Sequence, residues 1–510
     1  MSSPSDDSIP GGIAWTDWSA EPFSRAARER KPVLLSIGAS WCHGCAVMDR
    51  ATYADGEVAT LVMERTIPVH VDADRRPDIN ERYNLEGWPT TALLTPSGEI
   101  LTGTTYASPD VLTRMVLESA AVLESRYDDL MRRASEVAAA RRAARPVHRY
   151  EPDLGAPDWA VGQLLSQHDA ENGGFGTDGK FLHAGPLQFA LDALVRGEER
   201  LAPVLTRTLD AMLAGAIVDE VDGGFFRYAA GRDWTRPHTE KVLEEQAGMA
   251  LLLAEAAVVF DRPDYRARAL DAVGYVQRTL ADPARGGFFA SQRADEDYYG
   301  VSGSIRETLD PPVVDRTLFT DGNAQAAAAW LRIGALLDRA DLARFAVTSL
   351  ERVMVATYKP GEGVAHWADP NAVRHLLTDH VHAAWALLHL HEATGSETYP
   401  MLAEELLRTA IRTLWDEEDG GFRDHAPAAD DVGLMADPVK PLGSNCLAAR
   451  ALTRIARLTG RDDLQRIAEA TLAAVTGVYR AHGLMGTAYA AAVVEVMSTA
   501  APAEPDSPSR

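Results

Sequence analysis

Hydrophobic and polar positions along this chain follow two different periods, one after the other. From about residue 12 to residue 126, short apolar runs alternate with helical stretches. Val33–Ile37 reads as a buried strand and Ile67–Val71 (IPVHV) as a second. Trp88-Pro89-Thr90 introduces a third, Thr91–Thr95, and the tight turn PSGE leads into a fourth, Ile100–Thr104. Ser108-Pro109 then opens a closing helix through about Arg126. Beyond a Pro- and charge-rich stretch, strand signals nearly vanish, and apolar residues recur at three- and four-residue spacing. Helices near 158–168, 203–216, 264–280, 342–357, 400–415 and 463–478 are each followed by a partner, near 186–196, 241–259, 321–337, 379–394, 443–459 and 485–498. The pattern predicts six helical hairpins.

An internal repeat sharpens that expectation. Gly-Gly-Phe recurs at Gly173–Phe175, Gly223–Phe225, Gly286–Phe288 and Gly420–Phe422, with GEGVAHW (Gly361–Trp367) in the remaining slot. Each copy follows a first helix and precedes its partner, where a glycine pair allows a tight bend and the aromatic can plug the layer beneath. Loops within hairpins are long (169–185, 217–240, 281–320, 358–378 and 416–442), whereas returns such as LDRADL and LTGRDD are short. Hairpins closed into a ring would put every long loop on one rim. The sequence therefore predicts an (α/α)6 toroid with a single elaborated mouth. The expected division is a disordered N-terminus (1–11), a small α/β domain (12–140), a linker (141–157), the toroid (158–499) and a disordered tail (500–510).

Composition and charge narrow the partners. Across 510 residues, 46% hydrophobic and 24% charged side chains describe an ordinary globular chain, and a formal charge of −24 opposes nucleic acid and anionic membrane as partners. The N-terminus MSSPSDDSIPGG lacks the positive start and apolar core of a secretory signal, and the longest apolar run, GMALLLAEAAVVF, is too short to span a bilayer and contains Glu255. A cytoplasmic protein is the expectation.

Only three cysteines occur, and two of them lie three residues apart in SIGASWCHGCAVMDR. Strand, CxxC, helix, then X-Pro-Thr and a hairpin is the thioredoxin order. A thiolate attacks a disulfide, and the first turn of a helix stabilises one through its N–H groups and positive potential. Cys42 would then be the nucleophile, more exposed and more acidic than its partner, and Cys45 the resolving thiol. His43 would lower the Cys42 pKa when protonated, Trp41 would serve as a packing or docking platform, and Pro89, if cis, would place backbone groups against the sulfurs. Half of a zinc site is the plainer alternative, but no second cysteine pair exists; two buried structural cysteines are another. The third, Cys446, reads as a buried small hydrophobe. No cofactor and no metal site is read from the chain, and the expected partner of the cysteines is a disulfide-bearing protein or small thiol.

Polar residues gather on the looped rim. The first loop supplies Lys180 and His183; RDWTRPHTEKVLEEQ supplies His238, Glu240 and Lys241; DPPVVDRTLFTDGN supplies Asp315, Asp321 and Asn323; LLTDH supplies Asp379 and His380; ADPVKPLGSN supplies Asp437 and Asn445. Any single Asp or Asn here can be a helix cap, Asp321 and Asp379 especially, and His-x-Glu-Lys can be a structural ion pair. The expectation is nevertheless one polar pocket containing Lys180, His183, His238, Glu240, Lys241, Asp315 and Asp379, with Phe225, Phe288 and Trp367 on its walls. Helix N-termini aimed at a common centre favour an anionic or hydroxyl-rich ligand, carbohydrate-like by preference.

These stretches together resemble the spermatogenesis-associated protein 20-like proteins, in which a thioredoxin-like domain with a WCHxC motif is fused to a six-hairpin toroid. The resemblance covers about residues 10–500 and rests on ASWCHGCAVM, NLEGWPTTALLTPSGE, GGFGTDGKF, GAIVDEVDGGFFRYAAGRDWTRPHTEKVLEEQA and DPPVVDRTLFTDGNAQA. It implies a multidomain α/β plus all-α protein: a thioredoxin-like fold followed by an (α/α)6, six-hairpin glycosidase-like toroid. Departures accompany it. Gly44 stands where the usual motif has a second tryptophan, Ala46 where histidine is usual, and PHFEKMLYDQA has become PHTEKVLEEQA, changing Thr239, Val242, Glu244 and Glu245; the acidic loop after GGF is shortened to ASQRADEDYYG. Three functions stay open at this point: a thiol–disulfide oxidoreductase whose toroid binds a client or small molecule, a carbohydrate-active enzyme (epimerase- or glycosidase-like) with a regulatory redox domain, and a non-catalytic scaffold. In the second, Glu240 with Asp315 or Asp379 would supply paired carboxylates, or His238 with His380 or Glu240 an acid–base pair.

Overall fold

The computed structural model describes residues 12–143, 150–429 and 431–498. The expected disordered ends, 1–11 and 500–510, lie outside the described residues, as do residues 144–149 of the expected linker. The chain divides into two compact units, Met1–Pro146 with Pro427–Pro438, and Val147–Ala426 with Val439–Arg510.

In the first unit, the strands are β1 (Val33–Gly38), β2 (Ile67–Asp72), β3 (Thr90–Leu94) and β4 (Ile100–Thr104), in the order β2-β1-β3-β4. β2 runs parallel to β1, while β3 and β4 are antiparallel to their neighbours. Every residue of VLLSIG in β1 is buried, as a continuous apolar run on a central strand requires. Helices α1 (Ala20–Glu29), α2 (His43–Met48), α3 (Gly56–Arg65), α4 (Pro77–Tyr83) and α5 (Pro109–Ala143) cover the sheet. Leu34, Leu93, Val62, Leu112 and Val116 share one core, where each buried aliphatic contributes ~1.5–3 kcal/mol. Asp55 starts α3 by accepting the Glu57 and Val58 N–H groups at 2.9 and 3.0 Å. The closing helix does not stop at Arg126: that residue (φ −136°) is a kink, and α5 continues to Ala143, into the stretch expected to be a linker. Pro427–Pro438, part of the expected last long loop, belongs to this unit. Tyr83 Oη donates to Gly98 O and accepts the Leu434 N–H, both at 2.9 Å, and Arg141 pairs with Glu99 and Asp437. Asp437 is thus an ion-pair partner here.

The second unit is the (α/α)6 toroid. Its helices are α6 (Ala156–Gln167), α7 (Ala184–Val195), α8 (Ala202–Ala214), α9 (Leu243–Val259), α10 (Pro263–Thr279), the short α11 (Glu296–Tyr299) and α12 (Gly303–Arg306), α13 (Thr320–Leu336), α14 (Ala340–Thr357), α15 (Leu377–Thr394), α16 (Thr398–Leu414), α17 (Leu442–Thr459), α18 (Asp462–Val475) and α19 (Thr487–Val496). Helices α7, α9, α13, α15, α17 and α19 pack in a closed inner ring. The tight pairs are α9/α10, α13/α14, α15/α16 and α17/α18. They are joined by the short returns, so the long loops link an outer helix to the next inner one, and the pairing read from the sequence is shifted by one helix. The inner helices are apolar nearly all round, as helices packed on two sides must be.

The Gly-Gly-Phe repeat extends back to an aspartate four residues earlier: Asp169, Asp219, Asp282 and Asp416. Each carboxylate accepts backbone N–H groups two and three residues on, for example those of Glu171 and Asn172 at 3.1 and 3.2 Å. Both glycines have positive φ, +70° and +69° at Gly173 and Gly174, which a side chain would strain. The aromatic is then held at its backbone by an inner-helix amide: Gln246 on Phe225, Asn323 on Phe288 and Asn445 on Phe422. His380 occupies the equivalent place in the fifth slot, its Nδ1 2.9 Å from Leu376 O and its ring in the space that Gly363 (φ +70°) leaves open.

Candidate functional site

Two sites emerge, one in each unit. In the first, Cys42 is the N-cap of α2 (φ −72°, ψ 118°), and its Sγ accepts the Cys45 N–H at 3.1 Å. The two cysteines form a disulfide, with Cα atoms 5.3 Å apart. The Trp88–Pro89 peptide is cis. A Cβ built on Gly44 would lie 3.1 Å from Pro89 Cδ, 3.4 Å from Trp88 O and 4.0 Å from Cys42 Sγ, so the glycine lets this loop close against the disulfide. Trp41 stacks edge-on against Trp88 at 5.5 Å, its Nε1 donating to Asp74 at 2.8 Å. His43 is the half-buried first residue of α2. In the disulfide form both cysteines are buried, Cys42 5% exposed and Cys45 8%, so neither is the more open of the pair. Cys446 is buried, its thiol pushed up to about 12 by burial.

In the toroid, the structure separates the expected pocket residues into two kinds. Lys180 and Lys241 are wholly buried and bind the aspartates of the repeat: Lys180 Nζ lies 2.9 Å from Asp169, and Lys241 Nζ 2.7 Å from Asp219. Lys241 also reaches Gly223 O and sits 4.2 Å over the Tyr275 ring, while Arg306 supplies a second cation to Asp219. Burial pushes the Lys241 ammonium down to about 8, against the opposing pull of Asp219. Both lysines are loop anchors, and neither serves the pocket. Asp315 lies in a two-residue strand, Val314–Asp315, and accepts the Thr317 N–H at 2.9 Å, a turn contact. His380, Asn323 and Asn445 belong to the clamps described above. Phe225 and Phe288 are fully buried beneath their turns, so they do not line a wall.

His183, His238, Glu240 and Asp379 remain, with neighbours that the sequence reading passed over. Phe181, Tyr228 and His238 form a stack, at 5.0 and 4.0 Å between successive rings, with His183 edge-on to Phe181 at 5.9 Å. Burial lowers the His183 pKa. Glu245 is pushed up to about 8 by burial; Arg227, 3.9 Å away, opposes this, and Glu240 adds to it. Glu244, beside it, is solvent-accessible yet walled in by protein: burial, then Asp321 and Glu245, raise its carboxyl well above the usual range. Asp379 is fully buried and bound to His366 Nδ1 at 2.8 Å; burial raises it to about 6. Asp321 lies 3.9 Å from His366 and accepts the Thr378 hydroxyl at 3.1 Å. Burial holds the His382 imidazole well below its usual pKa, with Asp321 opposing.

Asp321, His366 and Asp379 each offer a ligand atom, all within 4.8 Å of one another, close enough for a metal ion. The His366–Asp379 hydrogen bond occupies Nδ1 and orients the imidazole, as a carboxylate does behind a metal-binding or a proton-handling histidine. The signal for His366 was present in the chain, since GEGVAHW is the one repeat slot that departs from Gly-Gly-Phe. His382 and Glu244 carry no such mark.

Residues 8–144 match the Thioredox_DsbH family, described as "Protein of unknown function, DUF255". Spermatogenesis-associated protein 20 of Homo sapiens is 30% identical over 341 residues, 60% of this chain and 43% of that protein. The chain is thus similar to spermatogenesis-associated protein 20 over about 60% of its length, and its first unit carries the Thioredox_DsbH domain. It spans less than half the length of the curated relatives it matches, including a Caenorhabditis elegans protein, "Uncharacterized protein B0495.5", 28% identical over 307 residues (56% of this chain, 41% of that one). Among solved structures, a sugar epimerase from a ruminal bacterium aligns over 62% of this chain and 83% of its own (TM-score 0.51, 13% identity). A D-mannose isomerase aligns over 63% and 85% (TM-score 0.50, 12% identity). These likenesses establish the toroid's fold. Among the described residues, no helix is long and apolar enough to cross a membrane.

Proposed function

We propose that the first unit is a thiol–disulfide oxidoreductase acting on a disulfide-bearing protein or small thiol. The observation that carries this is the Cys42–Cys45 disulfide at the start of α2, with Cys42 Sγ accepting the Cys45 N–H beside cis-Pro89. On reduction, that N–H and the helix terminus stabilise a Cys42 thiolate, the species that attacks an incoming disulfide. Cys45 then resolves the mixed disulfide. The test is insulin-disulfide reduction by the full chain with dithiothreitol as electron donor. Turnover should vanish in Cys42→Ser, and Cys45→Ser should accumulate a mixed disulfide at Cys42. Equal turnover by both variants and the parent rules the reading out.

A second reading concerns the toroid, whose mouth we assign to a neutral, hydroxyl-rich ligand of carbohydrate type. The Phe181–Tyr228–His238 stack, with Phe181 48% exposed, offers a flat apolar face beside the Glu240 carboxylate. A sugar ring presents the complementary surfaces, C–H groups on one face and hydroxyls at its edge. The anionic alternative considered from the sequence loses support, because Lys180 and Lys241 are occupied by Asp169 and Asp219 while Glu240, Glu244 and Glu245 stand together.

A further inference from the structure

Asp321 is the second residue of α13 and Asp379 the third of α15, two neighbouring inner helices. His366 comes from the loop between α14 and α15, and that loop is fastened to the start of α13. Thr320 donates its N–H to His366 O at 2.8 Å and its hydroxyl to Ala365 O at 2.6 Å. The His366 N–H reaches Val373 O at 2.9 Å, and its ring lies 4.9 Å from that of Phe319 and 5.7 Å from that of Trp367. The Asp321 carboxylate is held in turn by the Gly322 N–H at 2.8 Å and the Thr378 hydroxyl at 3.1 Å. Three donors on three braced segments thus lie within 4.8 Å of one another. We propose that they form a binding site for one divalent first-row transition ion of zinc type, held by His366 Nδ1 and one oxygen each of Asp321 and Asp379.

Charge and spacing both argue for an ion. Asp379 is fully buried and Asp321 nearly so, yet among the described residues neither carboxylate pairs with a lysine or arginine. Buried carboxylates are matched by a cation or coordinate a metal. Two carboxylates against one imidazolium leave a net negative charge, whereas two carboxylates, a divalent ion and a neutral imidazole leave none. Metal–ligand bonds of about 2.0–2.2 Å set neighbouring ligand atoms about 3.0–3.5 Å apart. The observed spacings bracket that range: His366 Nδ1 lies 2.8 and 3.1 Å from the Asp379 oxygens and 3.9 Å from Asp321 Oδ1. Nδ1 and Asp379 share a hydrogen here; an ion taking its place sends the proton to solvent and makes both atoms ligands. One nitrogen and two oxygens suit manganese through zinc and exclude a soft ion such as Cu(I), which calls for sulfur. Three protein ligands leave a coordination position for water or a ligand hydroxyl. The way in is past Asp321, whose side chain is 13% exposed against 3% for His366 and 0% for Asp379.

The test uses the full chain with Cys42 and Cys45 kept oxidised, so that their thiolates do not compete for metal. The chain is stripped with EDTA, dialysed and titrated with zinc by calorimetry, and the bound zinc is counted by atomic emission. One zinc per chain is expected, with micromolar or tighter affinity. Loaded with cobalt instead, the parent should show a single hyperfine-shifted, exchangeable proton by NMR, the Nε2–H of one ligating imidazole. Asp321→Asn and His366→Gln should each weaken zinc by about 100-fold or more, while His482→Ala on the exposed surface leaves the affinity unchanged. Asp321→Asn keeps the side-chain shape and decides the matter where His366→Gln fails to fold; the cobalt spectrum, read on the parent alone, decides it where both fail. Sub-stoichiometric zinc, a cobalt form without the shifted proton, or undiminished affinity in a folded Asp321→Asn overturns the site. Loss of affinity in His482→Ala moves it to the surface and overturns it equally. No readout involves a sugar, so the site stands or falls separately from the carbohydrate reading.

Discussion

At the end of the inner ring away from the long loops, Glu255, Glu392 and Glu495 all face cations. Glu255 pairs with Arg332 and Gln188, Glu392 with His389 at 2.9 Å and Arg454 at 3.2 Å, and Glu495 with Arg450 and Arg454 at 2.6 Å each. Bonds therefore run from α7 to α9 to α13 and from α15 to α17 to α19, and Arg332 also acts on Glu392 across α13 and α15. The His389 bond lowers Glu392, and Arg450 and Arg454 lower Glu495 against the burial that would raise it. At the looped end, Glu244, Glu245 and Asp379 are raised instead, by burial with too little compensating cation. Carboxylates at one end of the ring are matched by cations and tie neighbouring helices together, whereas those at the other end are not matched. A carboxylate whose charge is already matched gains little from a substrate, whereas one held neutral in a cleft has a proton to give.

The contrast can be broken most forcefully at a residue that looks like part of the mouth. Lys241→Met leaves Asp219 buried with Arg306 alone and should cost ~3–5 kcal/mol, read by denaturant unfolding. If Lys241 belonged to the pocket instead, the variant would keep its stability and lose only ligand. Arg454→Met at the closed end removes a cation shared by Glu392 and Glu495 and should cost about 2 kcal/mol, less because the arginine is 23% exposed. The smallest expected effect is at the mouth: Glu244→Gln should change stability by no more than about 0.5 kcal/mol at neutral pH, since solvent screens that position.

The pH dependence sharpens the comparison further. A carboxyl raised in the folded state contributes stability that is fully present below its unfolded pKa near 4.5 and is lost as pH rises through its folded value, about 8 for Glu245. The melting midpoint should therefore decline between pH 5 and pH 8 on account of Glu245, and Glu245→Gln should flatten that decline. Glu495→Gln, whose carboxyl is lowered, should leave the decline intact and remove stability that the parent loses only in acid.

Much of the architecture was legible. The apolar run Val33–Ile37 is β1, the cysteines open α2, and four Gly-Gly-Phe turns sit at four bends of the ring. Those features are local: a strand buried on both faces, a helix start and a positive-φ bend each leave their mark within a few residues. The site was read less well. Lys180 and Lys241 were drawn to the pocket by their place on the rim, yet each binds an aspartate that the sequence repeats four residues before its glycines. Glu244 reads as a departure from a motif and Asp321 as a helix cap, and the structure brings the two carboxylates near one another.

The sequence alone determined which stretches become strand or helix, where the chain bends, and that two cysteines share a helix start. Only the tertiary structure decided which charges meet. Glu244 and Asp321 lie in different helices far apart in the chain, and Asp219 sits in a loop 87 residues before its partner Arg306, so the tertiary fold sets whether a carboxylate finds a cation or another carboxylate. Periodicity fixes the face of a helix on which a side chain stands, and the partner on that face is chosen by packing against helices remote in sequence.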